Sequence, residues 1–218
     1  MAKRVAIVLA GCGQKDGSEI HEAVLTILGV VKAGAEPRFY APDESQRRVF
    51  DHASQKAVGE SRNMLIEAAR IARGNITDIR ELTTAVADAV IFPGGAGAAW
   101  NLSSFGKDGA GFTVHPEAVR VISEFYSAKK PLGFICIAPT LAAKVLGEFG
   151  VELTVGSDPE TARILECCGA RHVVKAPTEF HVDRRHRVVS TPAYMLGQNI
   201  AEIQIGITGL ARAVVELA

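Results

Sequence analysis

Cys136 stands between a short apolar run, Pro131-Leu-Gly-Phe-Ile135, and an Ala- and Leu-rich segment from Thr140 to Gly147. The first reads as a buried strand and the second as a helix. A cysteine at a sharp strand-to-helix turn has the geometry of a nucleophile elbow, with Cys in place of Ser. The free amides at a helix start favour negative charge, so the thiolate is expected to be stabilised and its pKa to fall. The amide of Ile137, one residue on, is placed to donate to an oxyanion on an attacked carbonyl. Pro139 suits the first helical turn, where a missing N–H does no harm. The competing reading is a buried cysteine serving as a small apolar core residue.

Other candidates for chemistry are weaker. The loop Gly11-Cys-Gly-Gln-Lys-Asp-Gly17 resembles a dinucleotide fingerprint, but its glycines miss the G-x-G-x-x-G spacing. His115-Pro-Glu117 resembles a tripeptide of glutamine amidotransferases, in which it follows the cysteine; here it precedes Cys136, and Pro116 at a helix start is the better account. Cys167 and Cys168 fall at the end of a predicted helix, where nothing lowers their pKa, and they read as structural.

These residues need a scaffold. Arg4–Ala10, Glu36–Ala41, Ala87–Phe92, Pro131–Ile135 and Val151–Val155 read as strands, as do His172–Lys175, Glu179–Asp183 and Arg187–Thr191, the last two a hairpin. Between them, helices are predicted from about Glu19 to Ala33 with Ser18 as cap and Gly34 as stop, and over Ser61–Arg73. Others are predicted over Ala118–Ala128, from Asp158 to Cys168, and from Gly197 to Leu217. Ile76–Leu82 is ambiguous, Gln46–Gly59 reads as loop and short elements, and Phe105–Val114 reads as an exposed loop. Strands alternating with helices imply an α/β doubly wound, mainly parallel sheet with helices on both faces. Ligand sites of such sheets lie beyond the strands' carboxyl ends. The Gly11 loop, the Pro93-Gly-Gly95 turn and Cys136 all follow strands, so they can converge.

Composition narrows the function classes. At 218 residues, with no linker or repeat, a single domain spanning 1–218 is expected. Lys plus Arg equals Asp plus Glu at 24 each, which argues against a nucleic-acid binder and against an electrostatic membrane tether. No apolar run approaches the ~20 residues of a bilayer span. The opening Met-Ala-Lys-Arg before Val5–Ala10 looks like a signal peptide, but the run is too short and reads as the first strand. The four cysteines form no C-x-x-C, so no metal site is expected, and a reducing compartment is.

Several motifs together resemble one superfamily. These are Glu22 on the first helix, Phe92-Pro-Gly-Gly95 with Asn101-Leu102, and Cys136-x-x-Pro139. They are similar to the PfpI/ThiJ, or class I glutamine-amidotransferase-like, α/β proteins. The likeness is closer to the ElbB glyoxalase branch (enhancing lycopene biosynthesis proteins), through Gly11–Val24, Glu60–Asn63, Ala98-Ala99, Asn101–Ser103, Gly133, Cys136–Pro139 and Thr191–Met195. The resemblance implies a flavodoxin-like fold, with Cys136 as nucleophile and Glu22 as the carboxyl that relays its proton. It also implies an oxyanion pocket from the amides of Gly95 and Ile137, no cofactor and a homodimer. A carboxyl beside a thiolate is expected to have a raised pKa, shared with its partner. Many relatives place a His after the cysteine; here Ile137 stands there, and neither His21 nor His181 is an obvious substitute, which puts protease and glutaminase activity in doubt.

The activity implied is a cofactor-independent glyoxalase acting on a 2-oxoaldehyde. The alternative is a redox-sensing or regulatory protein linked to isoprenoid metabolism, with an oxidisable Cys136. A cytoplasmic location is expected, or an organellar one for a mature protein stripped of a transit peptide.

Overall fold

The computed structural model describes residues 2–218. Its centre is a seven-stranded sheet. The strands are β1 (Arg4–Val8), β2 (Glu36–Ala41), β3 (Ile76–Asp78), β4 (Ala89–Phe92), β5 (Leu132–Ile135), β6 (His181–Asp183) and β7 (Val188–Thr191). Their spatial order is β6-β7-β5-β4-β1-β2-β3, every neighbouring pair parallel except the β6–β7 hairpin. This is the flavodoxin-like, doubly wound arrangement expected. The chain reverses direction across the sheet between β1 and β4, the switch point at which loops splay apart and leave room for a site.

Six helices cover the two faces: α1 (Ile20–Lys32), α2 (Met64–Ala68), α3 (Pro116–Ser127), α4 (Pro139–Leu146), α5 (Pro159–Cys167) and α6 (Ile200–Leu217). The unbroken apolar run of β1 is explained by burial on both sides. Val5, Ile7 and Leu9 pack with Ala23, Val30, Ile207 and Leu210 of α1 and α6, whereas Ala6, Val8 and Ala10 pack with Val121, Phe125 and Leu141 of α3 and α4. On that second face the rings of Phe92 and Phe134 stack at 5.3 Å between centroids, fixing β4 against β5. Such a pair adds roughly 0.5–1.5 kcal/mol beyond its burial. The two strands whose ends carry Gly94 and Cys136 are thus held rigidly side by side.

Four expectations need correction. The cap of α1 is Glu19, whose carboxylate accepts from the Glu22 amide at 2.7 Å; Ser18 instead accepts from the Ala10 amide at 2.9 Å. The loop before α1 bends back on β1, which takes Ser18 away from the helix end. The helix predicted over Ser61–Arg73 is confined to Met64–Ala68, because Asn63 caps it late and turns follow to Gly74. Val151–Val155 contributes only Glu152–Leu153, paired with Arg171–His172 outside the main sheet. Phe105–Val114 contains a short helix, Phe105–Asp108, with Phe112 fully buried. The ambiguous Ile76–Leu82 is both things in turn, a strand and then one 3-10 turn. Among the described residues, no helix is long and apolar enough to cross a membrane.

Candidate active site

Cys136 directly follows β5 and has φ of 62°, a left-handed conformation that costs a non-glycine residue roughly 1–3 kcal/mol. The strain is held by its surroundings. The Cys136 amide donates to the Thr191 carbonyl at 2.9 Å, extending the β5–β7 ladder into the turn. Ala138 N–H closes back on Ile135 at 3.0 Å, and Thr140 donates from both N–H and hydroxyl to the Ile137 carbonyl. Pro139 then opens α4. The elbow predicted from sequence is present, and its cysteine is buried, only 8% exposed.

Glu22 faces the same point from the first turn of α1 and is fully buried. Three groups fix its carboxyl: the Gly94 amide at 3.0 Å, the Tyr194 amide at 3.3 Å and the Cys136 thiol, which donates to it. Gly94 is the hinge of this arrangement. A Cβ there would sit 2.5 Å from the Cys136 Cβ and 2.6 Å from Glu22 Oε2, so any side chain would force acid and thiol apart. Gly95 follows with φ of 93°, turning its amide inward; a Cβ there would lie 2.3 Å from the Glu19 nitrogen. The amides of Gly95 and Ile137 both donate to the Cys136 sulfur. The two amides named from sequence therefore converge, with the sulfur as their acceptor in this state.

The electrostatics run partly against expectation. Burial, then the neighbouring Glu19 carboxylate, pushes Glu22 up to about 8, the upward shift expected. The predicted fall for Cys136 is overturned. Burial first, and the Glu22 charge and hydrogen bond next, hold the thiol well above its ordinary range, and the Gly95 and Ile137 amides oppose this without prevailing. The helix start that motivated the expectation is outweighed because the sulfur has traded water for a carboxyl. The pair acts as one unit that resists carrying two negative charges.

No histidine among the described residues is hydrogen-bonded to Cys136 or Glu22. His21 lies exposed on the outer side of α1, with Nδ1 on the Tyr194 hydroxyl at 2.8 Å, and His181 is held by Glu152 at 3.0 Å. Pro116 opens α3 as expected, and His115 caps the helix by accepting from the Glu117 amide at 3.2 Å. Two participants were not foreseen in these roles, Glu19 and Tyr194. A carboxylate at a helix start is a cap signal that could have found Glu19. Tyr194 contributes only a backbone amide, from 172 residues away, and leaves no trace in residue type.

The Gly11–Gly17 loop packs behind this centre rather than lining a nucleotide site. Asn101 donates to the Ala10 and Asp16 carbonyls at 2.9 and 2.8 Å, Gln46 donates to Asp16 at 3.0 Å, and the Arg48 guanidinium caps the Lys15 carbonyl. Cys167 is exposed and Cys168 half-buried at the far end of α5.

No family model matches the chain. It is 50% identical over 226 residues to a human protein named glutamine amidotransferase-like class 1 domain-containing protein 3, mitochondrial, covering 99% of this chain and 84% of that protein. It is 48% identical over 224 residues to a rat mitochondrial ES1 protein homolog, covering 98% and 84% respectively. Among solved structures, a protein of Ehrlichia chaffeensis described as an isoprenoid biosynthesis protein with an amidotransferase-like domain superposes with a TM-score of 0.91 at 35% identity, covering 99% of this chain and 100% of that one. DJ-1beta of Drosophila melanogaster superposes with a TM-score of 0.59 at 16% identity over 100% of this chain and 96% of that one, a likeness of fold alone.

Proposed function

The chain belongs to the glutamine amidotransferase-like class 1 family that includes the ES1 proteins, and from that premise we propose that it is a cofactor-independent glyoxalase-type enzyme converting glyoxal or methylglyoxal to the 2-hydroxy acid. One observation carries the reading. A fully buried carboxyl with its pKa near 8 accepts a hydrogen bond from a cysteine at a strained elbow. A group of that pKa can both take and give a proton near neutrality, as this reaction requires.

In the proposed sequence the Cys136 sulfur bonds to the aldehyde carbon while the thiol proton passes to Glu22. The aldehyde oxygen takes up that proton, giving a hemithioacetal beside the Gly95 and Ile137 amides. The Glu22 carboxylate removes the proton from the carbon bearing sulfur, and the resulting enediol is reprotonated on the neighbouring carbon. One carbon is oxidised and the other reduced within the substrate, so no external redox partner is needed. Water then cleaves the thioester and frees the thiol and the hydroxy acid. With one carboxyl moving every proton, turnover is slow.

The test follows 2-oxoaldehyde loss and acid formation in wild type, Cys136→Ala and Glu22→Gln. Loss of about 10²-fold or more is expected in each variant. Undiminished turnover in Cys136→Ala removes the reading. The redox-sensor alternative loses support from the raised thiol pKa, since oxidation follows thiolate character. Glutamine hydrolysis gains none, with no histidine bonded to the pair.

A homodimer is proposed through the outer face of α1. Ile20, Val24, Leu28 and Val31 stand 40–54% exposed along it, an apolar stripe that a second copy can cover symmetrically. Light scattering that reports a monomer at micromolar concentration rules this out. The proposed setting is a reducing compartment, cytoplasmic or organellar; the human and rat relatives named mitochondrial support the second. A disulfide in protein isolated from its cells counts against either.

A further inference from the structure

A cavity lies at the end of the sheet opposite Cys136. Lys129 comes just before β5 and Arg185–Arg187 just before β7, so the walls are built at the strands' amino ends, whereas Cys136 follows the carboxyl end of β5. The length of β5, roughly 3.3 Å per residue, separates the two. The cavity volume is about 650 Å³, within the range of small-molecule sites.

Its walls combine flat rings with positive charge. Tyr126 packs on Phe149, at 5.0 Å between centroids and 27°, and meets His186 edge to edge, the two rings 7° from parallel with centroids 6.0 Å apart. The Tyr126 hydroxyl pairs with His186 Nδ1 at 2.8 Å, which locks the two rings in register. Phe149 remains 47% exposed. Lys129, Arg185 and Arg187 line the same cavity, and none of them is ion-paired with a carboxylate among the described residues; Arg187 donates instead to the Leu217 carbonyl, which leaves Lys129 and Arg185 facing the cavity. Glu148 is the single acid in the wall. Cations beside the carboxyl ends of α3 and α4 complement the helix dipoles. That complement accounts for charge at the position but not for an open aromatic face beside it.

We propose that this cavity binds a small anion carrying a flat ring. The ring stacks on the open face of Phe149, and its carboxylate or phosphate is met by Lys129 and Arg185. Such a ligand does two things at once, covering the Phe149 face and neutralising Lys129 and Arg185. The site is independent of Cys136 chemistry and stands whether or not the aldehyde reading holds.

Calorimetric or NMR titration of the full chain tests it. The probes are adenosine monophosphate and 3-hydroxybenzoate as ring-bearing anions, with adenosine and inorganic phosphate as the separate halves of the first and phenol and acetate as those of the second. At least one ring-bearing anion is expected to bind about tenfold or more tighter than either half, and which of the two binds separates phosphate from carboxylate recognition. Phe149→Ala and Arg185→Glu, both surface changes checked for folding by circular dichroism, are each expected to weaken that binding about tenfold. Cys136→Ala is expected to leave it unchanged. The proposal is overturned if neither ring-bearing anion binds at about 5 mM. It is equally overturned if phosphate alone binds as tightly, or if both wall variants bind as wild type does.

Discussion

Two regions of this molecule present cysteine at the boundary of a helix, and they differ in almost everything that governs reactivity. Cys136 precedes α4 in a strained left-handed turn, nearly buried, with two amides and a buried carboxyl on its sulfur. Cys167 and Cys168 end α5, one exposed and one half-buried, and the shift of Cys168 is upward through burial. The simple rule that a helix start activates a thiol and a helix end does not would rank them by dipole alone. The structure ranks them by what replaces water. At Cys136 the replacement is a carboxyl, so on the proposed mechanism reactivity is conditional on Glu22 rather than built into the sulfur.

The comparison breaks most sharply at Gly94. Gly94→Ala places a methyl between thiol and carboxyl, and it is expected to reduce aldehyde turnover by about 10²-fold or more through misplacement alone. Stability is expected to fall by about 1–3 kcal/mol, as for an overpacked core, read from the urea midpoint. Substitution of Cys167 by Ser, with no such partner to disturb, is expected to leave both within error. An active Gly94→Ala enzyme would show that the acid–thiol contact is dispensable.

The pH dependence sharpens the same contrast. Glu22 rises from an ordinary 4.5 to about 8 on folding, so the folded chain binds its proton more tightly than the unfolded one. That contribution to stability is fully present below about pH 4.5 and is lost as pH rises through 8, an effect on the order of a few kcal/mol. Glu22→Gln is expected to flatten this part of the stability profile, measured by denaturant unfolding at pH 6 to 9. On the proposed mechanism, turnover is expected to run the other way in wild type and to rise towards pH 8 as the pair gives up its first proton. A stability profile identical in wild type and Glu22→Gln would mean that the carboxyl is not held protonated.

The smallest effect concerns bare thiol chemistry. With iodoacetamide at neutral pH, exposed Cys167 is expected to be alkylated before Cys136, by about tenfold or more in rate, followed by peptide mass analysis. Fastest modification at Cys136 would reverse the ranking and restore a thiolate stabilised by the helix start.

Much of this was legible in the chain itself. The unbroken apolar runs of β1, β4 and β5 with helical segments between them determined a doubly covered parallel sheet, because only strands buried on both faces tolerate such runs. Cys136 with Pro139 determined the elbow, and Pro93-Gly-Gly95 the tight turn beside it, since those local geometries depend on residues a few positions apart. That Glu22 points inward and His21 outward is a matter of rotation about one helix. It became definite only when α1 packed against α6 and the sheet. The direction of the Cys136 pKa, the carboxyl held by a backbone amide of Tyr194, and the acid of Glu19 behind it depend on groups brought together from distant parts of the chain. Desolvation and charge coupling are properties of that assembled interior, and no local run of residues carries them.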